Sequence, residues 1–315
     1  MTTIFINIRV VAIYMSFIEK QRHGNWFYYY LVKNVRTSSS SVKKVRIFLG
    51  RKVPPHDKLQ LLFKEIEKKA QKPYSAKWIP KELLERIEDL HASVAVFKKF
   101  QEEAIPADFV VRFTYNTNAI EGNPLTLRQT ALILSDNIAP QGTRTDDVIE
   151  VMNGKDGWEL VKNYKGNLSE KFLKSLHYAI VKNTKCRLQG KYRDSEVRIG
   201  GSDWQPPQAK DIPGLMKKIV NKYKQLKQTL HPIELASWIH NELVQVHPFT
   251  DGNGRTARLV MNWVFLKRKY PPVIIDVRNK EKYYSVIEAA DRGDQKPFVE
   301  FLVAQLLAQY TTEKS

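Results

Sequence analysis

Cysteine is almost absent: Cys186 is the only one among 315 residues. No internal disulfide can form and no thiol pair exists to bind a metal. A disulfide scaffold and a cysteine-based zinc site are therefore excluded, and a reducing, cytoplasmic setting is expected. Long apolar runs are also lacking. The nearest approach, Ile4 to Ile18 (IFINIRVVAIYMSFI), is broken by Arg9 and falls short of the ~20 apolar residues a spanning helix needs. It reads as a strand, or, over residues 1–14, as an upstream extension of a chain starting at Met15; no membrane association is expected. The seven histidines are dispersed without a three-ligand spacing, which argues against metal-dependent hydrolysis. Repeats are absent, and low complexity is confined to Ser38 to Ser41.

Acidic residues are scarce beside basic ones, with 33 Asp and Glu against 51 Lys and Arg and a formal charge of +18. The imbalance is concentrated in residues 1–53, where ten Lys and Arg face a single acid, Glu19, for a net +9. Such asymmetry suits nucleic acid, anionic lipid or an acidic protein surface; a solvated face is the bland alternative.

Three regions follow from the pattern. In residues 1–53, Trp26 to Lys33 and Val42 to Leu49 are rich in aromatic and β-branched residues and flank the polar stretch Thr37 to Ser41, so they predict a hairpin in a small basic β-module. Residues 54–106 read as two helices joined around Lys77 to Pro80. The second carries Leu83, Leu84, Ile87, Leu90, Val94 and Phe97 on one face, a stripe expected to pack into a core. Residues 107–310 show helix after helix, over 107–120, 126–136, 145–163, 169–183, 210–229, 232–246, 254–268, 279–292 and 296–309, with a capping-box signal at Thr126 and Gln129. One strand-like interruption, Glu196 to Ile199 running into Gly200 and Gly201, predicts a short hairpin between helices. The fold class is mainly α.

The chemistry gathers in V-H-P-F-T-D-G-N-G-R-T-A-R, Val246 to Arg258. Pro248 stops the preceding helix because it lacks an amide hydrogen. Gly252 and Gly254 leave main-chain amides open where the next helix begins, which makes an anion site. Arg255 and Arg258, three apart, add two guanidinium groups, and together these features suit a polyphosphate. Asp251 within this cationic loop makes sense as a ligand for Mg²⁺, which binds a carboxylate or two together with phosphate oxygens and water. His247 supplies a proton acceptor suited to neutral pH.

This stretch resembles the signature of the Fic family, His-x-Phe-x-(Asp/Glu)-Gly-Asn-Gly-Arg-x-x-Arg, at every specified position. The resemblance implies a Fic-type helical domain over 107–310 and an enzyme that transfers AMP from ATP to a hydroxyl of a target protein. By the same resemblance His247 is the base, Phe249 anchors the loop in the core and Asp251 holds Mg²⁺. Gly252, Asn253 and Gly254 cradle the α- and β-phosphates, Arg255 supports them and Arg258 holds the γ-phosphate. Gly254 stands where the related phosphorylating toxins carry Lys, which favours AMP transfer. T-N-A-I-E-G, Thr117 to Gly122, is similar to the family's inhibitory pattern and implies an inhibitory helix, 107–122, whose Glu121 pairs with Arg258. Lys191 to Gly201 resembles the flap that aligns the target segment by strand addition, with Val197 and Ile199 as docking residues. Tyr283 to Asp294 resembles the stretch whose tyrosines, here Tyr283 and Tyr284, line the adenine pocket. AMP removal, another nucleotide donor and self-association stay open. A second function class is a nucleic-acid-associated regulator that uses residues 1–53, with Trp26, Phe27 and Tyr28 to Tyr30 as contacts.

Overall fold

The computed structural model describes residues 16–23, 26–36, 42–70, 76–92, 106–200 and 204–311. It divides into two compact units, Met1–Pro73 and Tyr74–Ser315. The first holds a three-stranded antiparallel sheet in the order β1 (Ser16–His23), β2 (Trp26–Arg36), β3 (Val42–Gly50), followed by helix α1 (His56–Ala70). The predicted hairpin is present as β2 and β3, with Leu31 opposite Ile47. Its turn lies outside the described residues, as does most of the apolar stretch from Ile4, whose last residues begin β1. Register places Leu31 between Ile18 and Ile47. Strand side chains alternate faces, so this row points one way and packs with Ile66, Leu62 and Phe63 of α1.

The second unit is helical: α2 (Lys81–Ala92), α3 (Ala107–Ile120), α4 (Leu127–Ala131), α5 (Thr145–Asn163), α6 (Glu170–Val181), α7 (Ile212–Leu226), α8 (Pro232–Val246), α9 (Asn253–Lys267), α10 (Lys280–Asp291) and α11 (Lys296–Thr311). Of the two helices expected between 54 and 106, α1 thus lies in the first unit and α2 in the second. The apolar stripe of α2 is buried at Ile87 and Leu90, while Val94 and Phe97 fall outside the described residues. The capping box forms as predicted, Thr126 Oγ1 accepting from the Gln129 amide and Gln129 reaching back. Past Ala131 the helix widens into a π turn, Leu132–Asp136, that ends on left-handed Asn137.

Twelve of fifteen residues of α8 and twelve of fifteen of α9 are buried. A helix buried on all sides lies at the centre of a bundle, so these two form the axis around which the others pack. Phe109 and Phe113 of α3 pack at a tilt against Trp158 of α5, at 5.2 and 4.8 Å between centroids. The segment before α2 is tied to the axis by Glu234, whose buried carboxylate accepts from the Trp78 and Ile79 amides at 2.6 and 3.2 Å. Loop 247–252 therefore projects from the end of the two most constrained elements of the unit.

Close packing of α5 on α6 and α9 depends on Gly157, where an added Cβ would lie 2.6 Å from Ile180 Cγ2 and 2.9 Å from Leu259 Cδ1. Gly214, in the first turn of α7, faces open space. The same substitution should therefore act with opposite sign at the two sites. Gly157→Ala is expected to cost about 1–3 kcal/mol through overpacking, whereas Gly214→Ala should gain about 0.4–1 kcal/mol by restricting the unfolded chain. Thermal melts followed by circular dichroism at 222 nm check both.

Candidate active site

Helix α8 ends where Val246 meets His247 and Pro248, and the break is sharp because His247 adopts a left-handed conformation, φ +48°. Gly252, φ +72°, opens α9, and no side chain caps that helix. An added Cβ at Gly252 would lie 2.9 Å from Val181 Cγ1, so both its backbone and its packing require glycine. The α9 N-terminus thus stays open, its partial positive charge available to an anion.

The loop between these helices is braced from within and from outside. Asn253 accepts from the Phe249 amide and donates to the Phe249 carbonyl, both at 2.9 Å. These two bonds close the turn around Phe249. Phe249 is fully buried, the anchor the motif implied, and stacks on His177 at 3.8 Å with the rings 2° from parallel. His177 takes the Gly190 amide on Nδ1 at 3.0 Å. Its Nε2 therefore carries the proton and donates to the Asp251 carbonyl at 2.9 Å. Arg193 performs the matching task on the other side. Its side chain is wholly buried, its Nε donates to the His247 carbonyl at 2.8 Å, its amide bonds the Pro248 carbonyl at 2.9 Å, and its remaining N–H groups reach the Ser195 and Pro207 carbonyls.

His247 itself donates from Nδ1 to the Val244 carbonyl at 3.3 Å, which leaves the Nε2 lone pair as the acceptor. Burial, opposed by that bond and assisted by the Arg193 charge, holds its pKa below the usual histidine value. The imidazole is thus a neutral base at neutral pH.

Arg258 is 2% exposed, and its N–H groups are distributed among four acceptors. Nε donates to Thr117 Oγ1 at 2.8 Å, Nη2 to the Thr117 carbonyl at 2.9 Å and to Glu121 Oε1 at 2.6 Å, and Nη1 to the Tyr283 hydroxyl at 3.2 Å. Glu121 follows α3 as its C-cap, and Gly122, φ +96°, turns the chain away. A carboxylate at a helix C-terminus opposes its own macrodipole; here it is offset by Arg258 and by the start of α9. An added Cβ on Gly254 would stand 2.2 Å from Glu121 Oε1, so the carboxylate presses directly on the open end of α9. The expected pairing of Glu121 with Arg258 is therefore present as geometry.

Tyr283 departs from expectation. It is 1% exposed, its hydroxyl donates to His240 Nε2 at 2.7 Å, and burial pushes its phenol up to about 12. From there bonds run through Asn241 to Gln295, at 3.0 and 2.7 Å. A ring so enclosed lines no open pocket; it orients Arg258. Tyr284, one position on and about 100° around the helix, stays more than a third exposed and donates to the Ile120 carbonyl at 3.1 Å. Arg255 is also less free than expected, lying between Asp251 Oδ2 at 3.1 Å and Glu150 Oε1 at 3.0 Å. In the flap segment Val197 and Ile199 are half-buried and alternate with exposed Arg198, but residues 191–200 form no strand. The predicted hairpin is not formed among the described residues, because an extended segment becomes a strand only when a second backbone pairs with it.

No group of three His, Cys, Asp or Glu among the described residues is arranged to hold a metal. Asp251 is 59% exposed, with Oδ2 paired to Arg255 and Oδ1 accepting from the Gly252 amide at 2.6 Å. One accessible carboxylate beside an anion site fits Mg²⁺, whose other ligands are commonly phosphate oxygens and water. Sequence reasoning gave His177, Arg193 and His240 no part. Each acts through a backbone or side chain distant in sequence; Arg193 lies within the flap segment Lys191 to Gly201 and the two histidines within predicted helices, but nothing local marks their partners.

Burial holds His177 at about 4 and His240 at about 3, both depressed from ~6.5. A depressed histidine binds fewer protons folded than unfolded, so its contribution is complete above pH ~6.5 and declines as pH falls toward the folded value, by on the order of 3 kcal/mol for His177. Melting temperature should drop between pH 6.5 and 5, and His177→Gln should show a shallower slope over that window. Equal slopes would contradict the assignment.

Residues 167–265 match the family model described as Fic/DOC family. The "Protein adenylyltransferase Fic" of Drosophila ananassae is 33% identical over 221 residues, covering 68% of this chain and 42% of that protein, and that of Drosophila melanogaster is likewise 33% identical, with 43% of its length covered. The chain thus spans less than half the length of these curated relatives. Among solved structures, a Fic domain containing signaling protein from Bacteroides thetaiotaomicron is similar with a TM-score of 0.64 and 26% identity, over 73% of this chain and 93% of that one. Fic-1 from C. elegans gives a TM-score of 0.63 and 25% identity, over 82% and 77%. Helical unit, signature loop and relatives agree: this chain carries a Fic domain and belongs to the Fic/DOC family.

Proposed function

We propose that this chain is an autoinhibited protein adenylyltransferase that moves AMP from ATP to a hydroxyl of a target protein. The observation that carries the reading is the juxtaposition of a neutral, half-buried His247 with the open N-terminus of α9 and with Arg258. The fly relatives, which are protein adenylyltransferases by name, support the same activity.

In this reading the amides at Gly252 to Gly254 hold the α- and β-phosphates, and Arg258 holds the γ-phosphate. His247 Nε2 takes the proton of the target hydroxyl as its oxygen bonds the α-phosphorus and the bond from that phosphorus to the β-phosphate bridging oxygen breaks, releasing pyrophosphate. Catalysis then rests on position and charge. Asp251 would hold Mg²⁺, which would supply charge neutralisation to the phosphates. To take that role Asp251 exchanges its contact with Arg255, which Glu150 retains. Tyr284, exposed beside the C-terminus of α3, stays available to a purine; Tyr283 serves by orienting Arg258. The flap, pinned at its base by Arg193, offers Val197 and Ile199 as an unpaired extended edge to which a target segment adds as a strand. Glu121 is the inhibitory group: while it occupies Arg258, the γ-phosphate lacks its partner. No helix among the described residues is long and apolar enough to cross a membrane, and the single cysteine suits a reducing cytoplasm.

Incubation with α-labelled and γ-labelled ATP followed by intact-mass measurement tests the reaction. Label from the α-position with a mass gain matching AMP is expected; γ-label alone contradicts it. Glu121→Gly should raise transfer, read as auto-modification, roughly ten- to a hundredfold, the equivalent of a charge-assisted contact of about 1.5–3 kcal/mol. Glu121→Gly combined with Arg258→Ala should remain as slow as Arg258→Ala alone. In that released background His247→Ala should lower transfer by about 10²–10⁴-fold while nucleotide affinity, measured by calorimetry, stays close to that of the parent. Because burial lowers the His247 pKa, the acid limb of the rate profile should fall below pH ~6.5.

A further inference from the structure

The sheet of the first unit has one face covered by α1 and another that the transfer chemistry leaves unused. On that second face Trp26, Tyr28 and Tyr30 follow one another along β2 at every other residue, and Phe48 of β3 lies opposite Tyr30. The Phe48 ring centroid is 5.3 Å from that of Tyr30 and 5.8 Å from that of Tyr28. The Arg51 guanidinium sits 4.1 Å from the Trp26 centroid and 5.8 Å from that of Tyr28. Trp26 is 56% and Phe48 57% exposed. The strip ends at Val32 on the same face, which is fully buried.

An antiparallel sheet covered on one side ordinarily turns polar side chains to water on the other. Here the outward positions of Trp26, Tyr28, Tyr30 and Phe48 are indole, phenol, phenol and phenyl, with Glu19 of β1 beside Tyr30, in a segment that carries ten basic residues and that one acid through residue 53. Lys44, Arg51 and Lys52 are exposed around the strip, and Arg46 is held there by Glu19 at 3.3 Å. Rings at alternate strand positions, about 6.8 Å apart along the chain, give flat π surfaces on which unpaired bases stack. Cations at the margin give contacts to the phosphates between those bases. Duplex offers phosphates only, since its bases are already stacked on one another.

We propose that the face formed by Trp26, Tyr28, Tyr30 and Phe48, with Arg51, binds single-stranded nucleic acid. This is a function separate from nucleotidyl transfer, and none of these residues belongs to the transfer site. Fluorescence polarisation of the full chain with fluorescein-labelled oligo(dT) and oligo(rU) of about 15 nucleotides at about 50–200 mM salt tests it, with a duplex of equal length and phosphatidylserine vesicles as competitors. Single strands should bind in preference to both. Trp26→Ala with Phe48→Ala should weaken binding about ten- to a hundredfold with the far-ultraviolet spectrum unchanged, and Trp26→Phe should keep most of the affinity. Arg51→Gln should reduce the salt slope by about one. The proposal is overturned by absence of binding at about 50 mM salt, by equal affinity for duplex, by preference for the vesicles, or by full affinity in the folded double variant.

Discussion

Burying a guanidinium costs several kcal/mol unless its N–H groups and its charge are met, and the candidate site is arranged around meeting that demand for Arg258. Three elements converge on it: the end of α3 through Thr117 and Glu121, α10 through Tyr283, and α9, which carries it. The neutral partners are fixed. Thr117 gives both hydroxyl and carbonyl, and Tyr283 is held by His240, itself kept neutral by burial. Only one contact carries a full opposite charge and is partly open to solvent, that of Glu121, with about a third of its side chain exposed. The charge of Arg258 is therefore satisfied either by this carboxylate or by another anion at the same place. Replacement is built into the site because the rest of the hydrogen-bond set does not have to move.

The same economy governs the signature loop. His247 is strained into the left-handed region, and such strain persists only where the surroundings over-determine it. Asn253 closes the turn from inside, His177 holds the Asp251 carbonyl and Arg193 holds the His247 carbonyl. All three bind backbone, so they fix where the His247 imidazole stands while leaving its Nε2 uncommitted. Arg193 also ties the base of the flap to the loop, which couples the flap segment to the position of His247.

Much of this was legible in the sequence. The helix pattern located α3 to α11, and the loop named its own chemistry because Gly, Asp, Arg and His carry distinct physical properties at fixed spacing. Glu121 was legible only through its resemblance to an inhibitory pattern, since a Glu before Gly at a helix end is ordinary. What was not legible depends on distance in sequence. Asn253 and Tyr283 are polar residues beside an anion site, and nothing local reveals that one is spent on the Phe249 backbone and the other buried behind Arg258. Glu196 to Ile199 has strand composition, but composition does not supply the second backbone a ladder needs. The N-terminal aromatics read as one contact set; that Trp26, Tyr28 and Tyr30 turn outward while Phe27 and Tyr29 share the face of Leu31 emerged only once register set Leu31 and Ile47 inward.

The central claim is that Glu121 occupies the place of the γ-phosphate on Arg258. Calorimetric titration of ATP and of ADP, each with Mg²⁺, into the unaltered chain and into the Glu121→Gln variant tests it most directly. Gln keeps the shape and removes the charge. The account predicts that ATP affinity rises clearly more than ADP affinity, since only ATP presents a group to the released guanidinium. An equal change for both nucleotides, or none, would contradict it.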